Sequence, residues 1–309
     1  MDSVVIGLDV GGTNIKLGIV SSSGRVIAKN VLPTKSFARD KRKLIEVIIS
    51  SCQDIIQKHH LHPRSILGIG IGLPGLVDFK RGMVRILTNI YGWKDVPLKA
   101  ILEKIFRRPV FVDNDVNLMA LGEWKFGAGR GYANIFCVTL GTGVGGAFIV
   151  NNELYRGEGF TAGEFGHVPL NEQGPRCGCG GYGCLERYLG NRYLTKKARE
   201  IFKINDITLQ KVGDLAGRGD RKALDFWQDA AVHLGNGLVN VVNLFNPRRI
   251  VIGGGVANNF RFFSKTLKDT VKKRAMKIPA AMVQILPARL GEEAAIIGAQ
   301  VLVKGAIDE

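Results

Sequence analysis

The residues best suited to chemistry lie between positions 163 and 187, in the run GEFGHVPLNEQGPRCGCGGYGCLER. It brings His167, Cys177, Cys179 and Cys184 into one glycine-rich stretch of a chain that has only five cysteines. A disulfide would join two of the three thiols and strand the third. A redox pair would call for Cys-x-x-Cys, whereas the spacing here is C-x-C-x4-C. A tetrahedral Zn2+ ion uses all four groups, because one imidazole and three thiolates form a closed structural set with no position left for water. The sequence therefore predicts a structural zinc site that holds its neighbours in place.

A second kind of chemistry sits in two glycine turns, DVGGTN at 9–14 and LGTGVGG at 140–146. Glycines let successive backbone N–H groups converge on an anion, and Thr13 and Thr142 add hydroxyl donors. Asp9, at the end of a strand-like run, is placed to hold Mg2+ through water, which suits an ion that keeps much of its hydration. Two tight hairpins, with Asp9 a turn residue, are the alternative reading. A third glycine run, IGGG at 252–255, also follows a strand-like segment, and the three together point to a nucleotide clamp. Three stretches match G-x-G-x-x-G, at 70–75, 141–146 and 178–183. None follows a strand and opens a helix, so a dinucleotide-binding dehydrogenase is not indicated. No Gly-Lys dipeptide occurs, which excludes a Walker loop.

These groups need a scaffold. With 309 residues, 46% of them hydrophobic, the chain can bury a large core and is expected to form two domains. No run approaches the roughly 20 apolar residues needed to span a bilayer. The start, MDSVVIGLDV, lacks the pattern of a secretory signal. Cys52 and Cys137 fall in apolar helix-like and strand-like patterns, and a reducing cytoplasm is the expected location. The net charge of +16 raises the question of nucleic acid, but the basic residues come in small scattered groups such as Lys41 to Lys43, Arg107 with Arg108, Lys196 with Lys197 and Lys272 to Arg274. In DKRKLIEVIISSCQDII they face away from a stripe of Leu44, Val47, Ile48, Cys52, Ile55 and Ile56. Solvated helix faces account for them.

The first segment, VVIGLDVGGTNIKLGIVSSSGRVIAKNVL, reads as three strands joined by turns. A helix over about 40–60 follows, then the strand ILGIGIGLPG, and later the strand PVFVDND feeding a helix near Val116. The opening pattern recurs in NIFCVTLGTGVGGAFIVNNELYRG. A shift of 132 positions carries Gly11 onto Gly143, Ile15 onto Ala147 and Leu17 onto Ile149, which suggests a duplicated α/β unit. Helices near 190–204 and 221–245, a strand RRIVIGGG and a closing helix over about 292–304 complete the pattern.

The segments DVGGTNIK, GLPG, VDNDVN, LGTGVGG, EFGH and CGCGGYGCLE stand in the order found in the ROK family of bacterial sugar kinases, which this chain resembles from residue 4 to about 300. The resemblance implies an α/β fold of duplicated actin- and hexokinase-like (ribonuclease H-like) domains around a cleft. The expected domains are 1–115 with the returning helix 291–309, and 116–290 with the zinc-binding insertion. It implies an ATP-dependent, Mg2+-requiring kinase acting on the 6-hydroxyl of glucose or a related hexose.

Carried over by position, Asp115 resembles the catalytic base. Asn114, Glu164, His167 and Glu186 resemble sugar-hydroxyl ligands, and Gly75 a backbone contact in the sugar loop. The phosphate side would comprise Asp9, Gly11, Gly12, Thr13, Asn14 and Lys16 with Gly141, Thr142, Gly143 and Gly254. The zinc knot would then fix Glu164, His167 and Glu186 around the hexose. A sugar alcohol is a poor nucleophile at neutral pH, so a carboxylate must take its proton, a service worth roughly 10²–10⁴-fold. The alternative for Asp115 is the N-cap of the helix starting at Val116. Lys16 reads equally as a solvent-facing strand lysine.

Some family members are repressors with a DNA-binding module ahead of the kinase-like part. With a first strand at about residue 4, none is expected here. After GCLE the chain continues RYLGNRYL, unlike many glucokinases, which leaves the sugar open. The alternatives are an N-acetylhexosamine kinase (for N-acetylglucosamine or N-acetylmannosamine) and, from another class, a non-catalytic sugar-sensing protein. The phosphate donor is also open, polyphosphate included. The expected partners are hexose, ATP and further copies of the chain as homodimer or homotetramer, with neither nucleic acid nor membrane.

Overall fold

The computed structural model describes residues 3–34, 40–87 and 92–308. Thirteen strands are seen among them: β1 (Val4–Val10), β2 (Asn14–Ser21), β3 (Val26–Pro33), β4 (Ile66–Leu73), β5 (Gly75–Asp78), β6 (Met83–Leu87), β7 (Lys94–Val96), β8 (Val110–Asn114), β9 (Ile135–Leu140), β10 (Val144–Val150), β11 (Glu153–Tyr155), β12 (Arg249–Gly253) and β13 (Gln284–Pro287). The α-helices are α1 (Lys41–Lys58), α2 (Leu98–Phe106), α3 (Asp115–Phe126), α4 (Glu186–Leu189), α5 (Asn191–Phe202), α6 (Leu209–Gly217), α7 (Arg221–Phe245), α8 (Phe260–Arg274), α9 (Lys277–Met282) and α10 (Ala294–Asp308).

Two five-stranded sheets share one plan. The first has the order β3-β2-β1-β4-β8 and the second β11-β10-β9-β12-β13. In each, the first three strands in sequence occupy one side in reverse order and two later strands complete the other. β1 pairs with β2 antiparallel and with β4 parallel, and β4 pairs with β8 parallel. β12 likewise runs parallel to both β9 and β13. The duplication expected from the 132-residue shift is thus a duplication of topology. The predicted Asn-Asn turn after β10 is also present: Asn151 and Asn152 both have left-handed φ angles, 53° and 70°, as a two-residue hairpin loop requires.

The chain divides into two compact units. One comprises Met1–Gly131, Phe148–Ala162 and Arg289–Glu309, the other Tyr132–Ala147 and Gly163–Ala288. In the first unit, β1 and β4 are buried almost throughout, as expected of parallel strands covered on both faces. α1 buries Leu44, Ile48, Cys52 and Ile55, most of the stripe read from the sequence, and it is capped by Asp40. α3 packs along α10 so closely that a Cβ on Gly298 would run into the Leu118 carbonyl. The expected boundary between residues 115 and 116 gives way for this reason: α3 belongs with the closing helix, and the division falls after Gly131.

The entry into α10 is fixed by Glu123, a fully buried carboxylate on α3. Its Oε1 accepts the N–H groups of Arg289 and Leu290, at 2.9 and 2.7 Å, and its Oε2 that of Ala128 at 2.7 Å. In the second unit α7 spans the predicted residues and packs on α8, a helix not among those expected from the sequence. Phe263, Leu267 and Val271 give α8 a buried stripe at four-residue spacing. Cys52 and Cys137 are fully buried, as expected of core thiols, and burial pushes the Cys52 thiol up to about 12. No helix among the described residues is long and apolar enough to cross a membrane.

Candidate active site

In the first unit, the turn after β1 closes through Gly11 N–H to the Asn14 carbonyl at 2.9 Å. Thr34, the residue after β3, seats it: its buried hydroxyl donates to the Gly11 carbonyl at 2.7 Å and its N–H to the Thr13 carbonyl at 2.8 Å. Thr13 and Asn14 are exposed at the tip, with Gly12 half-buried beside them. Asp9 faces Lys16 across the β1–β2 ladder. Burial raises the Asp9 carboxyl to about 6; Lys16 opposes the shift and Glu292 adds to it. Lys16 is half-buried, 3.8 Å from the exposed Glu292, so it is not simply a solvent-facing lysine.

Asn114 and Asp115 join β8 to α3. The N-cap is Asn114, whose Oδ1 accepts the N–H groups of Val116 and Asn117 at 2.8 and 3.4 Å. Asp115 is instead the first helical residue, its Oδ1 2.9 Å from Val116 N. The Asn114 amide donates to the Gly75 carbonyl at 3.2 Å, which ties the expected sugar loop to the expected base. Gly75 has φ of 131° and lies against the Ile86 carbonyl, a position that only glycine fits.

Behind this junction Asp113 is buried, its Oδ2 2.8 Å from both Nε and Nη2 of Arg156. The guanidinium is stacked 3.8 Å from the Phe79 ring centroid. Asp113 Oδ1 accepts the Asn114 N–H and the Asn117 side-chain amide. Arg156, Phe79, Thr34 and Glu123 were not singled out from the sequence.

In the second unit, the 3-10 turn Phe165–His167 carries the EFGH segment, pinned by Phe165 packing edge-on against Phe136. The donor atoms of His167, Cys177, Cys179 and Cys184 all lie within 4.8 Å of one another. His167 Nδ1 is 3.7 Å from Cys177 Sγ, and the Cys179 and Cys184 sulfurs are 3.7 Å apart. Zn–S bonds of about 2.3 Å at tetrahedral angles give edges of about 3.8 Å, so the set fits a Zn2+ ion. The opposite ring nitrogen, Nε2, faces away from the thiols and lies 3.8 Å from the Glu164 carboxylate, beyond hydrogen-bond distance. Burial pushes the Glu164 carboxyl up, His167 opposes that, and Glu186 adds to it.

Glu186 opens α4 and reaches the second glycine turn, where its Oε2 accepts the Val144 N–H at 3.0 Å. The turn itself closes through Gly141 N–H to the Gly143 carbonyl at 3.0 Å, with Thr142 exposed at its tip. Gly254, at φ of 83°, lies against the backbone of Leu140 and so borders the same turn. Beyond it a cavity of about 300 Å3 is lined by Gln210, Gly213, Asp214, Gly255, Asn259 and Arg261, among others.

The structure therefore gathers the candidate residues into two sets. Asp9, Gly11–Asn14, Lys16, Gly75, Asn114 and Asp115 belong to the first unit. Gly141–Gly143, Glu164, His167, the three cysteines, Glu186 and Gly254 belong to the second.

Comparison with known proteins gives a consistent picture. The model of the ROK family matches residues 5–306. A glucokinase of Halalkalibacterium halodurans is 36% identical over 98% of this chain and 96% of its own. A xylose repressor of Caldicellulosiruptor bescii is 30% identical over 95% of this chain and 76% of its own. Among solved structures, a ROK family glucokinase from Streptomyces griseus, in complex with glucose and AMPPNP, superposes with a TM-score of 0.86 at 31% identity, covering 98% of this chain and all of the other.

Proposed function

This chain belongs to the ROK family, and we propose that it is an ATP-dependent hexose kinase transferring the γ-phosphoryl group to the 6-hydroxyl of glucose or a closely related hexose. The observation that carries the reading is Asp115, a carboxylate at the start of a helix whose neighbours are all fixed: Asn114 by the cap and by Gly75, Asp113 by Arg156. Asp115 takes the proton of the attacking hydroxyl, while Asn114, Glu164, His167 and Glu186 accept or donate to the other hydroxyls of the sugar.

The two glycine turns present backbone N–H groups to the phosphates, and the cavity beside Gly255 suits the ribose and base. Asp9 is the residue that would hold Mg2+, which when bound neutralises phosphate charge as the transfer proceeds. The zinc set keeps Glu164, His167 and Glu186 in register and takes no part in the chemistry, since protein donors complete its tetrahedron.

Coupled ADP release with ATP, and formation of the sugar phosphate with polyphosphate, over a panel of hexoses and N-acetylhexosamines, test the proposal. Turnover with glucose or a close relative and ATP is expected. Binding of glucose without ADP release would make the chain a sensor, and turnover confined to N-acetylated sugars would move the substrate class.

A further inference from the structure

Glu186 does two things that its placement in a sugar site does not require. Its carboxylate accepts the backbone N–H of Val144, at the end of the second glycine turn. It also fills the space in front of Gly143, where any Cβ would collide with its Oε2. Gly143 has no left-handed φ, and the atom a Cβ would meet there is the end of the Glu186 side chain, so alanine fits only if that carboxylate moves aside. A carboxylate has about four acceptor positions, so one bond to Val144 leaves it able to take a sugar hydroxyl as well.

The same short segment grips the other end of the turn. Cys184, a metal-set residue, lies two positions before Glu186, and α4 is capped by Gly190, whose neighbour Asn191 donates its N–H to the Gly141 carbonyl at 2.9 Å. Residues 184–191 thus run from the metal set to both flanks of the 141–144 turn. A displacement of the Glu186 carboxylate that stretched this 3.0 Å bond well past about 3.2 Å would break it unless the turn followed.

We propose that Glu186 is a positioning residue that couples hexose binding to nucleotide binding: sugar contacts on its carboxylate, anchored by the zinc set, order the 141–144 turn for the phosphates. The inference rests on reading Glu186 as a sugar ligand and that turn as a phosphate site. It goes beyond that reading in making the two sites energetically linked through one side chain, and such linkage is reciprocal.

Calorimetric titration of the full zinc-loaded chain with AMPPNP and Mg2+, with and without glucose, tests it in wild type, Glu186→Ala, Glu186→Gln, Gly143→Ala and the double variant Gly143→Ala/Glu186→Ala. Wild type should bind the nucleotide about fivefold or more tightly when glucose is present. Glu186→Ala should abolish that factor and also weaken the nucleotide in the absence of sugar. Glu186→Gln, whose amide oxygen still accepts the Val144 N–H, should keep the sugar-free nucleotide affinity. Gly143→Ala, which expels Glu186, should weaken glucose as Glu186→Ala does, and the double variant should lose little more than either single one.

Zinc content and melting temperature establish that each variant is folded and metallated. A wild type that binds both ligands without mutual effect overturns the coupling, as does a Glu186→Ala variant that keeps it, or additive losses in the double variant. A wild type that binds no hexose at all overturns the functional reading beneath it.

Discussion

The two glycine turns occupy equivalent places in equivalent sheets, yet they are held by different means. The turn at Gly11–Asn14 is seated by the hydroxyl of Thr34, just past the end of β3, and has a carboxylate, Asp9, at its base. The 132-residue shift that aligns Gly11 with Gly143 places Gly141 where Asp9 stands, so the second turn has no acid of its own. Instead it borrows one, Glu186, from 42 residues downstream, along with an N–H from Asn191. Duplication supplied two backbone cradles, and the side chains then diverged. One turn has a carboxylate at its base, and the other is held by a carboxylate two residues beyond Cys184 of the His-Cys cluster.

The largest expected effect tests whether proton transfer belongs to the first sheet alone. β8 ends at Asn114 and is followed by Asp115, whereas its counterpart β13 ends at Pro287 and is followed by Ala288, neither of which can take a proton. Asp115→Asn should lower kcat at least about 10²-fold with hexose affinity nearly unchanged. Near-normal turnover would remove Asp115 from the mechanism. Asp113→Asn should behave differently. It weakens a buried ion pair with Arg156, so the loss, on the order of 3 kcal/mol, should appear in thermal stability, with turnover per folded molecule far less affected.

Next in size is loss of the zinc set, the device that the first sheet lacks. Cys179 is its exposed member. Cys179→Ser should lower zinc below one per chain and make the 164–186 segment protease-sensitive, while the large cores keep the chain folded. Glucose affinity should fall at least about tenfold, the range seen when the support of a metal site is removed. Because Glu186 also holds Val144, nucleotide affinity should weaken too. Full zinc occupancy in the variant would show that the cysteines serve another purpose.

A smaller effect probes the seat of the first turn. Thr34→Val removes the hydroxyl from the Gly11 carbonyl and should cost about 1 kcal/mol, read as a roughly fivefold weaker nucleotide affinity with glucose affinity intact. If glucose weakened equally, the first turn would resemble the second in serving both ligands.

What the sequence disclosed and what it hid follow from distance along the chain. The metal set was legible because its four donors lie close together in the sequence and one His with three Cys is a donor set that structural zinc uses. The hairpins were legible because alternation and glycine turns are local. Thr34 lies 23 residues from its partner, Arg156 lies 43 from Asp113, and Glu123 lies 166 from Arg289. No local pattern marks such pairs. The cap at the start of α3 fell on Asn114 rather than Asp115, a choice between two neighbouring cap-forming residues that only the backbone geometry decides. The domain boundary was displaced because α3 leans on α10, a helix that begins 179 residues after α3 in the numbering.

The smallest expected effect is one that only the first turn should show, a pH dependence centred on Asp9. Its carboxyl is pushed up to about 6 in the folded chain, chiefly by desolvation, against about 3.9 when unfolded. Below about pH 4 both states hold the proton. Between about 4 and 6 the folded state alone holds it, so stability contributed by this group falls as pH rises through that window and is level above it. Mg2+ favours the ionised carboxylate, so the ion should stabilise the chain more at pH 7 than at pH 5. Melting temperatures across pH 4.5–7.5, with and without Mg2+, should show both trends in wild type. Asp9→Asn, which cannot titrate, should flatten the first and remove the second. A wild-type slope that survives in Asp9→Asn would assign the titration to another group and take from the first turn the charge that distinguishes it from the second.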